Sequence, residues 1–394
     1  MRTNVKWFLL VALLIPCWVI GINYDIDLVV LHATSQFINN DYTRVYAQNG
    51  TLGRYFYGPF SLILIKPLGY FSYVTVKYFW LVLQTLCYFV FWSALTDLYP
   101  FLKKDKYFWG WVLIWIVSIN PIHNNYQSNN IQLMLATLLL AAEQLTLSSS
   151  VNRQKLGGFL VTIAAGIKVF PGFLIPFYFI VKNNNVRKGV LIGIFTVALS
   201  PFLVLGMPKA LFLYQGFFSN LTTYSAENSL TSTNDILCLP SLLARLGLSA
   251  KVVNSGILLL SFAFYTWVFK HRARFSTNRM NLHILALAWA LSVLFNPSTR
   301  PHYFIFYVPA FCSLLEIQYA SEMKLNKLFP IGIFLSTLLI AFTAEGVVGR
   351  PTNEWLEAHN WPTIGMLILT LMLALVISVI RKANVQPSHA VECL

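Results

Sequence analysis

The chain has 394 residues, of which 57% are hydrophobic and only 11% are charged. A water-soluble domain of this composition would expose large apolar patches, so soluble classes of protein are excluded and lipid is the expected solvent. The net charge of +14 lies in short basic clusters between apolar runs, a pattern typical of membrane topology and not of a nucleic-acid groove. The five cysteines form no CxxC pair, so neither a disulfide framework nor a zinc site is expected.

Apolar runs of about 20 residues are needed to cross the hydrocarbon core as helices. The first run follows Arg2 and Lys6, and no small-residue cleavage site comes after it, so we predict a retained helix and not a signal peptide. Ten runs are candidate spans: 7–22, 74–95, 107–122, 131–147, 189–206, 252–269, 281–296, 303–319, 329–345 and 363–380.

The distribution of Lys and Arg predicts which loops face the cytoplasm, because cytoplasmic loops of polytopic proteins are enriched in both. Basic residues cluster at 103–106, 153–155, 182–188 and 270–279, and both termini are basic as well. With these segments inside, the cytoplasmic side holds 18 Lys and Arg against 6 acids, and the remainder holds 10 against 8.

Residues 157–181 lie between two basic loops and therefore require an even number of crossings, yet they are too few for two spans of about 20 residues each. We predict a hairpin of two short half-helices, broken at Lys168-Val169-Phe170-Pro171-Gly172. Residues 59–73 and 236–247 are apolar but contain proline, and we predict interfacial or re-entrant helices there. The expected fold is an all-α integral membrane protein, a polytopic helical bundle with about 10–12 crossings in a single domain, 1–394.

Most unusual polar clusters fall on the predicted outer, non-cytoplasmic face. A polar or ionisable group at membrane depth is a functional candidate, so a site built from several outer segments is expected. The predicted outer segments are 23–73, 120–130, the hairpin apex at Lys168, 207–251, 296–302 and 346–362.

Two carboxylates, Asp25 and Asp27, follow the first span directly. Either one has the chemistry of a general base. The alternative interpretation is that they cap a helix from about Ile26 to Ile38, since an Asp in the first turn satisfies free N–H groups and the helix dipole. Residues two apart on a helix project in roughly opposite directions, so at most one of the two faces a given cavity.

Two further clusters contain cations. Lys168 lies in the apolar hairpin, where a phosphate partner would offset its burial, although snorkelling to water is an equal alternative. Arg300 and His302 lie in a two-proline break and offer donors for a phosphate, unless the segment is merely a polar turn. The segments 127–132 and 224–234 add amides, hydroxyls and Glu227, a composition that suits sugar hydroxyls or any wet loop.

Soluble-enzyme motifs are absent from the sequence: it contains no Walker loop, no GxGxxG turn, no HExxH and no GxSxG. A nucleotide substrate handled in the cytoplasm is therefore not expected.

The polar clusters, in chain order, resemble motifs of the polyprenyl-phosphate-sugar-dependent glycosyltransferases of family 87, which share the GT-C membrane fold. The first outer loop of that family has an Asp before an apolar helix, then a Tyr, then a Tyr-Pro-Pro-like turn. A Gly-Gln-x-Asn turn, a Lys-x-x-Pro break, an Asn-Gln-Ser-Leu loop and a Ser-Pro…His-His-Tyr turn follow. The similar segments here are Asp27, Tyr46, Tyr57-Gly58-Pro59, Asn129-Asn130-Ile131-Gln132, Lys168-Val169-Phe170-Pro171, Glu227-Asn228-Ser229-Leu230 and Asn296-Pro297…Pro301-His302-Tyr303.

The resemblance implies transfer of a sugar, mannose above all, from a polyprenyl-phosphate donor to a hydroxyl of a glycan or glycolipid acceptor, with inversion and without a metal or other cofactor. Asp27 is then the expected base, with Asp25 in reserve. The expected phosphate-binding residues are Lys168, Arg300 and His302, and the expected sugar- or acceptor-binding residues are Tyr57, Asn130, Gln132, Glu227 and Asn228.

Other functions fit the topology. A lipid-linked sugar flippase or transporter is the main rival, but such proteins often have repeated halves with paired broken helices, and only one broken hairpin is evident. An outer-face glycan ligase also fits, whereas a purely structural subunit would not explain the costly Lys168. The short loops favour a bacterial inner membrane with the active site on the periplasmic face, and the bilayer, not nucleic acid, as a partner.

Overall fold

The computed structural model describes residues 2–46, 57–228, 236–275, 277–320, 328–341 and 348–383. Over these residues the chain is all-helical, as predicted. Its α-helices within these ranges are α1 (Arg2–Asn23), α2 (Ile26–Asn40), α3 (Pro59–Ile65), α4 (Tyr73–Leu98), α5 (Phe108–Ser128), α6 (Gln132–Thr146), α7 (Val151–Ile167), α8 (Ile175–Val181), α9 (Asn184–Leu205), α10 (Met207–Asn228), α11 (Leu239–Arg245), α12 (Ala250–His271), α13 (Asn278–Phe295), α14 (Val308–Ala320), α15 (Leu328–Ala341), α16 (Arg350–Ala358) and α17 (Trp361–Ala383).

Five helices of the described ranges are long and apolar enough to cross a membrane, namely α1, α4, α9, α12 and α17. The protein is therefore a polytopic helical membrane protein. Others are apolar but shorter: α6 has 15 residues and is about 23 Å long, less than a hydrocarbon core of about 30 Å. The predicted number of 10–12 crossings stays a prediction.

Two helix boundaries depart from the apolar runs next to a proline. α5 continues through Pro121 to Ser128, although the predicted span ended at 122, because a proline removes one helical hydrogen bond without ending every helix. Residues Pro301–Tyr307 form a 3₁₀ helix, and the α-helix begins only at Val308, where Pro309 falls in its tolerated first turn.

The two segments predicted to be interfacial or re-entrant are both short helices. Residues 59–73 contain α3, which continues as a 3₁₀ helix over Lys66–Tyr70. Residues 236–247 contain α11, which has seven residues. Their depth in the membrane stays a prediction.

The chain divides into two compact units. The N-terminal unit comprises Lys6–Ala94 and Ile122–Glu227, and the C-terminal unit comprises Met1–Val5, Leu95–Pro121 and Asn228–Leu394. The predicted single domain over 1–394 stays a prediction.

Small residues allow close helix packing in the N-terminal unit. α7 packs against both α6 and α9. A Cβ added at Gly157 would lie 2.7 Å from the carbonyl oxygen of Ala142 on α6, and one at Gly158 would overlap the carbonyl oxygen of Val186 on α9. Helices in lipid associate by this kind of close approach, since burial of apolar surface gives little driving force there.

The predicted hairpin reverses at the expected place. α7 ends at Ile167, Lys168 is extended, and a 3₁₀ helix over Phe170–Leu174 leads into α8. The Lys182 Nζ, after α8, donates to the Glu143 Oε1 of α6 at 2.5 Å. The next residue, Asn183, donates to Gln154 in the first turn of α7 at 3.1 Å. The end of the second arm therefore lies beside the start of the first, although α7 begins at Val151 and makes the first arm longer than predicted.

The C-terminal unit is organised around α13, which is buried along most of its length and packs against α14 and α17. Arg279 of α13 forms an ion pair with Glu316 of α14 at 3.3 Å. The Tyr99 hydroxyl donates to the carbonyl oxygen of Pro309 at 3.1 Å. These two contacts join α14 to α13 and to the segment that follows α4.

Candidate active site

The two carboxylates at the start of α2 have different partners. Asp25 occupies the N-cap position, but its side chain accepts no capping hydrogen bond and instead accepts one from the Lys77 Nζ of α4 at 2.7 Å. Burial alone would raise the pKa of Asp25, but the hydrogen bond and charge of Lys77 outweigh it, so the pKa lies below its usual value. Asp25 is thus engaged in an ion pair and does not cap the helix through its side chain.

Asp27 lies in the first turn of α2, where the helix dipole favours a negative charge. Its Oδ2 accepts a hydrogen bond from the Asn130 Nδ2 at 2.5 Å. Among the described residues Asp27 forms no ion pair, and its side chain is only partly buried. This carboxylate is held by an amide while remaining a partly accessible proton acceptor.

The turn between α5 and α6 supplies that amide. Asn129 adopts a left-handed backbone with φ 50°. The Asn129 Nδ2 donates to the carbonyl oxygens of Gly21 at 2.9 Å and Tyr24 at 2.8 Å, at the end of α1. The Asn129 Oδ1 accepts from the Gln84 Nε2 of α4 at 3.0 Å. One fully buried side chain therefore joins the turn to both α1 and α4.

Lys168 lies at the break between α7 and the following 3₁₀ helix, with its Nζ 5.0 Å from the centre of the Tyr57 ring. A cation over an aromatic face is attracted to the negative ring surface. The Tyr57 side chain is buried, and the backbone carbonyl oxygen of Tyr57 accepts from the Tyr46 hydroxyl at 2.9 Å. Lys168, predicted to bind phosphate, and Tyr57, predicted to bind sugar or acceptor, are thus adjacent in the structure.

A common apolar core underlies these groups. Leu28 of α2 and Tyr57 both belong to it, and Ile131 and Ile167, the chain neighbours of Asn130 and Lys168, pack against it. Four predicted site residues of the N-terminal unit therefore form two contacting pairs, Asp27 with Asn130 and Lys168 with Tyr57. Tyr57 belongs to this core, and chain neighbours of the other three belong to it or pack against it.

Gln132 and the two residues at the end of α10 were predicted to bind sugar or acceptor. Gln132 is fully buried, and neither polar atom of its side chain has a partner among the described residues. Glu227 and Asn228 form the end of α10, but their side chains lie outside the described part of the structure.

The predicted phosphate ligands Arg300 and His302 lie in the C-terminal unit, at the start of the 3₁₀ helix over Pro301–Tyr307. Arg300 is exposed, whereas His302 is buried and its ring lies 5.0 Å from that of Tyr303. The preceding Thr299 is fixed by its hydroxyl, which donates to the carbonyl oxygen of Val293 at 2.7 Å. The segment is an ordered turn with one outward cation.

Lys77 and Gln84 are polar residues of this site that the sequence analysis did not single out. Both lie within the apolar helix α4, seven residues apart and therefore on one face. Polar residues on one face of a membrane helix point to internal partners, and this spacing was a usable signal.

Comparison with known proteins agrees with the sequence resemblance. The family model of glycosyltransferase family 87 matches residues 55–297, which is more than half of the chain. No curated protein and no solved structure gives a significant match.

Proposed function

We propose, from the finding that the chain belongs to glycosyltransferase family 87 and is a membrane glycosyltransferase, which donor it uses. The proposed donor is a sugar, most simply mannose, on a polyprenyl phosphate. The acceptor is a hydroxyl of a glycan or glycolipid at the non-cytoplasmic face of a bacterial inner membrane. Family membership favours this hexosyl transfer over the flippase or transporter alternative, whereas an outer-face ligase would be a variation on the same chemistry.

In the proposed reaction Asp27 is the general base. The acceptor oxygen attacks the anomeric carbon, and its proton passes to the Asp27 carboxylate late in the step. The bond from the anomeric carbon to the phosphate oxygen breaks, and the lipid phosphate leaves with the electron pair. Attack opposite the leaving group inverts the anomeric centre.

The choice of Asp27 over Asp25 is supported by their partners. Lys77 binds the Asp25 carboxylate, and its positive charge lowers the proton affinity of that carboxylate. The partner of Asp27 is a neutral amide, which orients the carboxylate without adding a cation. This difference is the main support for Asp27 as the base.

Lys168 is the proposed cation for the leaving phosphate. It lies at a helix break over the ring of Tyr57, and Tyr57 shares an apolar core with Leu28, the chain neighbour of Asp27. A positioned cation stabilises charge that develops on a leaving group. Because such cations can stabilise the negative charge of the leaving phosphate, the proposed reaction does not require a metal ion. Arg300 and His302 retain their proposed phosphate role on residue type alone. Tyr57, Gln132, Glu227 and Asn228 likewise remain proposed contacts to sugar or acceptor.

The test compares Asp27→Asn, Asp25→Asn and Asp41→Asn, each assayed for transfer and for donor binding. Radiolabelled polyprenyl-phosphate mannose and other polyprenyl-phosphate sugars serve as donors, with a membrane lipid extract as acceptor. Asp27→Asn should lower transfer about 10²- to 10⁴-fold while donor binding persists, since the amide keeps shape but accepts no proton. Asp41, an exposed residue at the other end of α2, is the matched control and should be silent.

Two results would change the proposal. Full activity in Asp27→Asn with loss in Asp25→Asn moves the base to Asp25, and full activity in both removes the carboxylate base.

Lys168→Ala should lower donor affinity as well as rate, because the phosphate is bound before it leaves.

A further inference from the structure

Asn130 was predicted to bind sugar or acceptor, yet its side-chain polar atoms are engaged with the protein. Its Oδ1 accepts from the backbone N–H groups of Ile131 at 2.7 Å and Gln132 at 3.2 Å. Its Nδ2 donates to Asp27 at 2.5 Å. The residue is only 3% exposed. The side-chain oxygen of Asn130 therefore accepts hydrogen bonds at the start of α6, and its side-chain nitrogen donates to the carboxylate of Asp27.

The Asn130 backbone is fixed as well. Its N–H donates to the carbonyl oxygen of Asn125 at 2.9 Å. The Asn125 Nδ2 donates to the Gln84 Oε1 at 2.6 Å, and Gln84 in turn donates to Asn129. Trp80 adds a bond from its Nε1 to the Asn129 carbonyl oxygen at 2.9 Å. Satisfied buried networks of this kind hold their members in one arrangement.

The same network fixes the chain that leads into α2. Asn129 binds the carbonyl oxygens of Gly21 and Tyr24, and Tyr24 directly precedes Asp25. Asn129 therefore anchors both Asn130, which follows it directly, and the segment before Asp27. Two residues separate Tyr24 from Asp27. A small displacement of a catalytic group can cost on the order of 100-fold in rate, so such anchoring has a direct catalytic value.

We infer that Asn130 is a positioning residue of the reaction: its amide holds one oxygen of the Asp27 carboxylate, so that the other oxygen is presented to the acceptor hydroxyl, and Asn129 with Gln84 keeps that amide in place. The inference rests on the proposed role of Asp27 as the base. It removes Asn130 from the predicted sugar contacts.

The decisive variant is Asn130→Asp, which keeps the shape and the oxygen that caps α6 but replaces the N–H donor by a second carboxylate. Transfer should fall on the order of 100-fold at saturating donor, with donor binding unchanged. The acid limb of the pH–rate profile should move to higher pH, because two adjacent carboxylates resist ionising together. The donor is the polyprenyl-phosphate sugar that the unmodified protein uses in the panel above.

Asn183→Asp is a matched control. The Asn183 Oδ1 also accepts from two backbone N–H groups at the start of a helix, at 3.1 Å each, and its Nδ2 donates to a side chain, but that side chain is the neutral Gln154. Its transfer rate and pH profile should match those of the unmodified protein. If Asn130→Asp fails to fold, Asn130→Ser decides, because serine caps helices about as well but does not reach Asp27.

The outcomes separate this inference from the proposed function. An unchanged rate and pH profile in Asn130→Asp, with Asp27→Asn inactive, overturns the positioning role alone. Weakened donor binding with an unchanged rate at saturating donor would make Asn130 a sugar contact and would also overturn the positioning role. Full activity in Asp27→Asn overturns both the base and its positioning residue.

Discussion

Asn129 combines two properties that few residue types share. Its backbone at φ 50° is in the left-handed region, which glycine and, less often, asparagine adopt. In the family motif that this turn resembles, glycine stands at the corresponding position. Asparagine satisfies the same backbone requirement and adds hydrogen bonds to α1 and α4 that glycine lacks. The difference from the motif is therefore physically compatible with the same turn.

The ion pair of Lys77 and Asp25 should stabilise the protein in a pH-dependent way. Because the pKa of Asp25 is lowered in the folded state, its contribution is present above the ordinary Asp pKa of about 3.9 and is lost as the pH falls through the lowered value. Lys77→Gln should lower the free energy of unfolding at pH 7 by about 1–2 kcal/mol. The difference from the unmodified protein should disappear in acid, as measured by thermal unfolding in detergent.

Lys103→Gln is the control for that measurement. Lys103 pairs with Asp97 at 2.6 Å, but the two side chains are 58% and 49% exposed, against 16% and 25% for Lys77 and Asp25. Exposed pairs contribute little, so Lys103→Gln should leave stability unchanged at every pH. An equal loss of stability in both variants, or a loss in Lys77→Gln that persists in acid, would contradict the stabilising role of the Lys77–Asp25 ion pair.

At the scale of elements, the hairpin and its neighbours are held by two different means. Glycines bring the backbones of α7 and α9 together along their length. The end of the hairpin is held instead by the buried ion pair of Lys182 and Glu143. The second carboxylate oxygen of Glu143 accepts from the Tyr178 hydroxyl at 3.1 Å. A buried pair with added hydrogen bonds is costly to break, so the return of the chain to α6 is firmly specified.

Gly158→Ala should destabilise the protein, because its Cβ would overlap the carbonyl oxygen of Val186 and force α7 away from α9. We expect a loss of about 1–3 kcal/mol in thermal unfolding. Gly256→Ala on α12 is the control, since nothing lies within 4 Å of its added Cβ. Alanine there should be neutral or slightly stabilising. Equal behaviour of the two variants would show that close approach of α7 and α9 is not required.

At the scale of the whole molecule, sidedness is the testable property. Reporter fusions after Lys155 and after Lys188 should report the same, cytoplasmic side, because the ends of the hairpin lie together. In a cysteine-free background, cysteines at Ser128 and Ser298 should react with an impermeant thiol reagent from outside, and one at the exposed Arg272 should not.

Ser128 is preferred to Asn125 in the same helix, because Asn125 is only 1% exposed. Opposite sidedness of the two fusions would contradict the hairpin crossing. Labelling at 272 from the same side as at 298 would contradict the placement of the site on the outer face.

The sequence by itself predicted most of the apolar helices, the break at Lys168 and the start of α2, because apolar runs, proline and first-turn carboxylates act within a few residues. Membership of the family also followed from motifs in order along the chain. The tertiary structure alone decided which carboxylate meets a cation and which meets an amide. Lys77 and Asn130 lie 52 and 103 residues from their partners Asp25 and Asp27, and only the tertiary structure brings α4 and the turn before α6 to the start of α2. Local patterns carry no information on that choice, since both carboxylates have the same chemistry and nearly the same position in the chain.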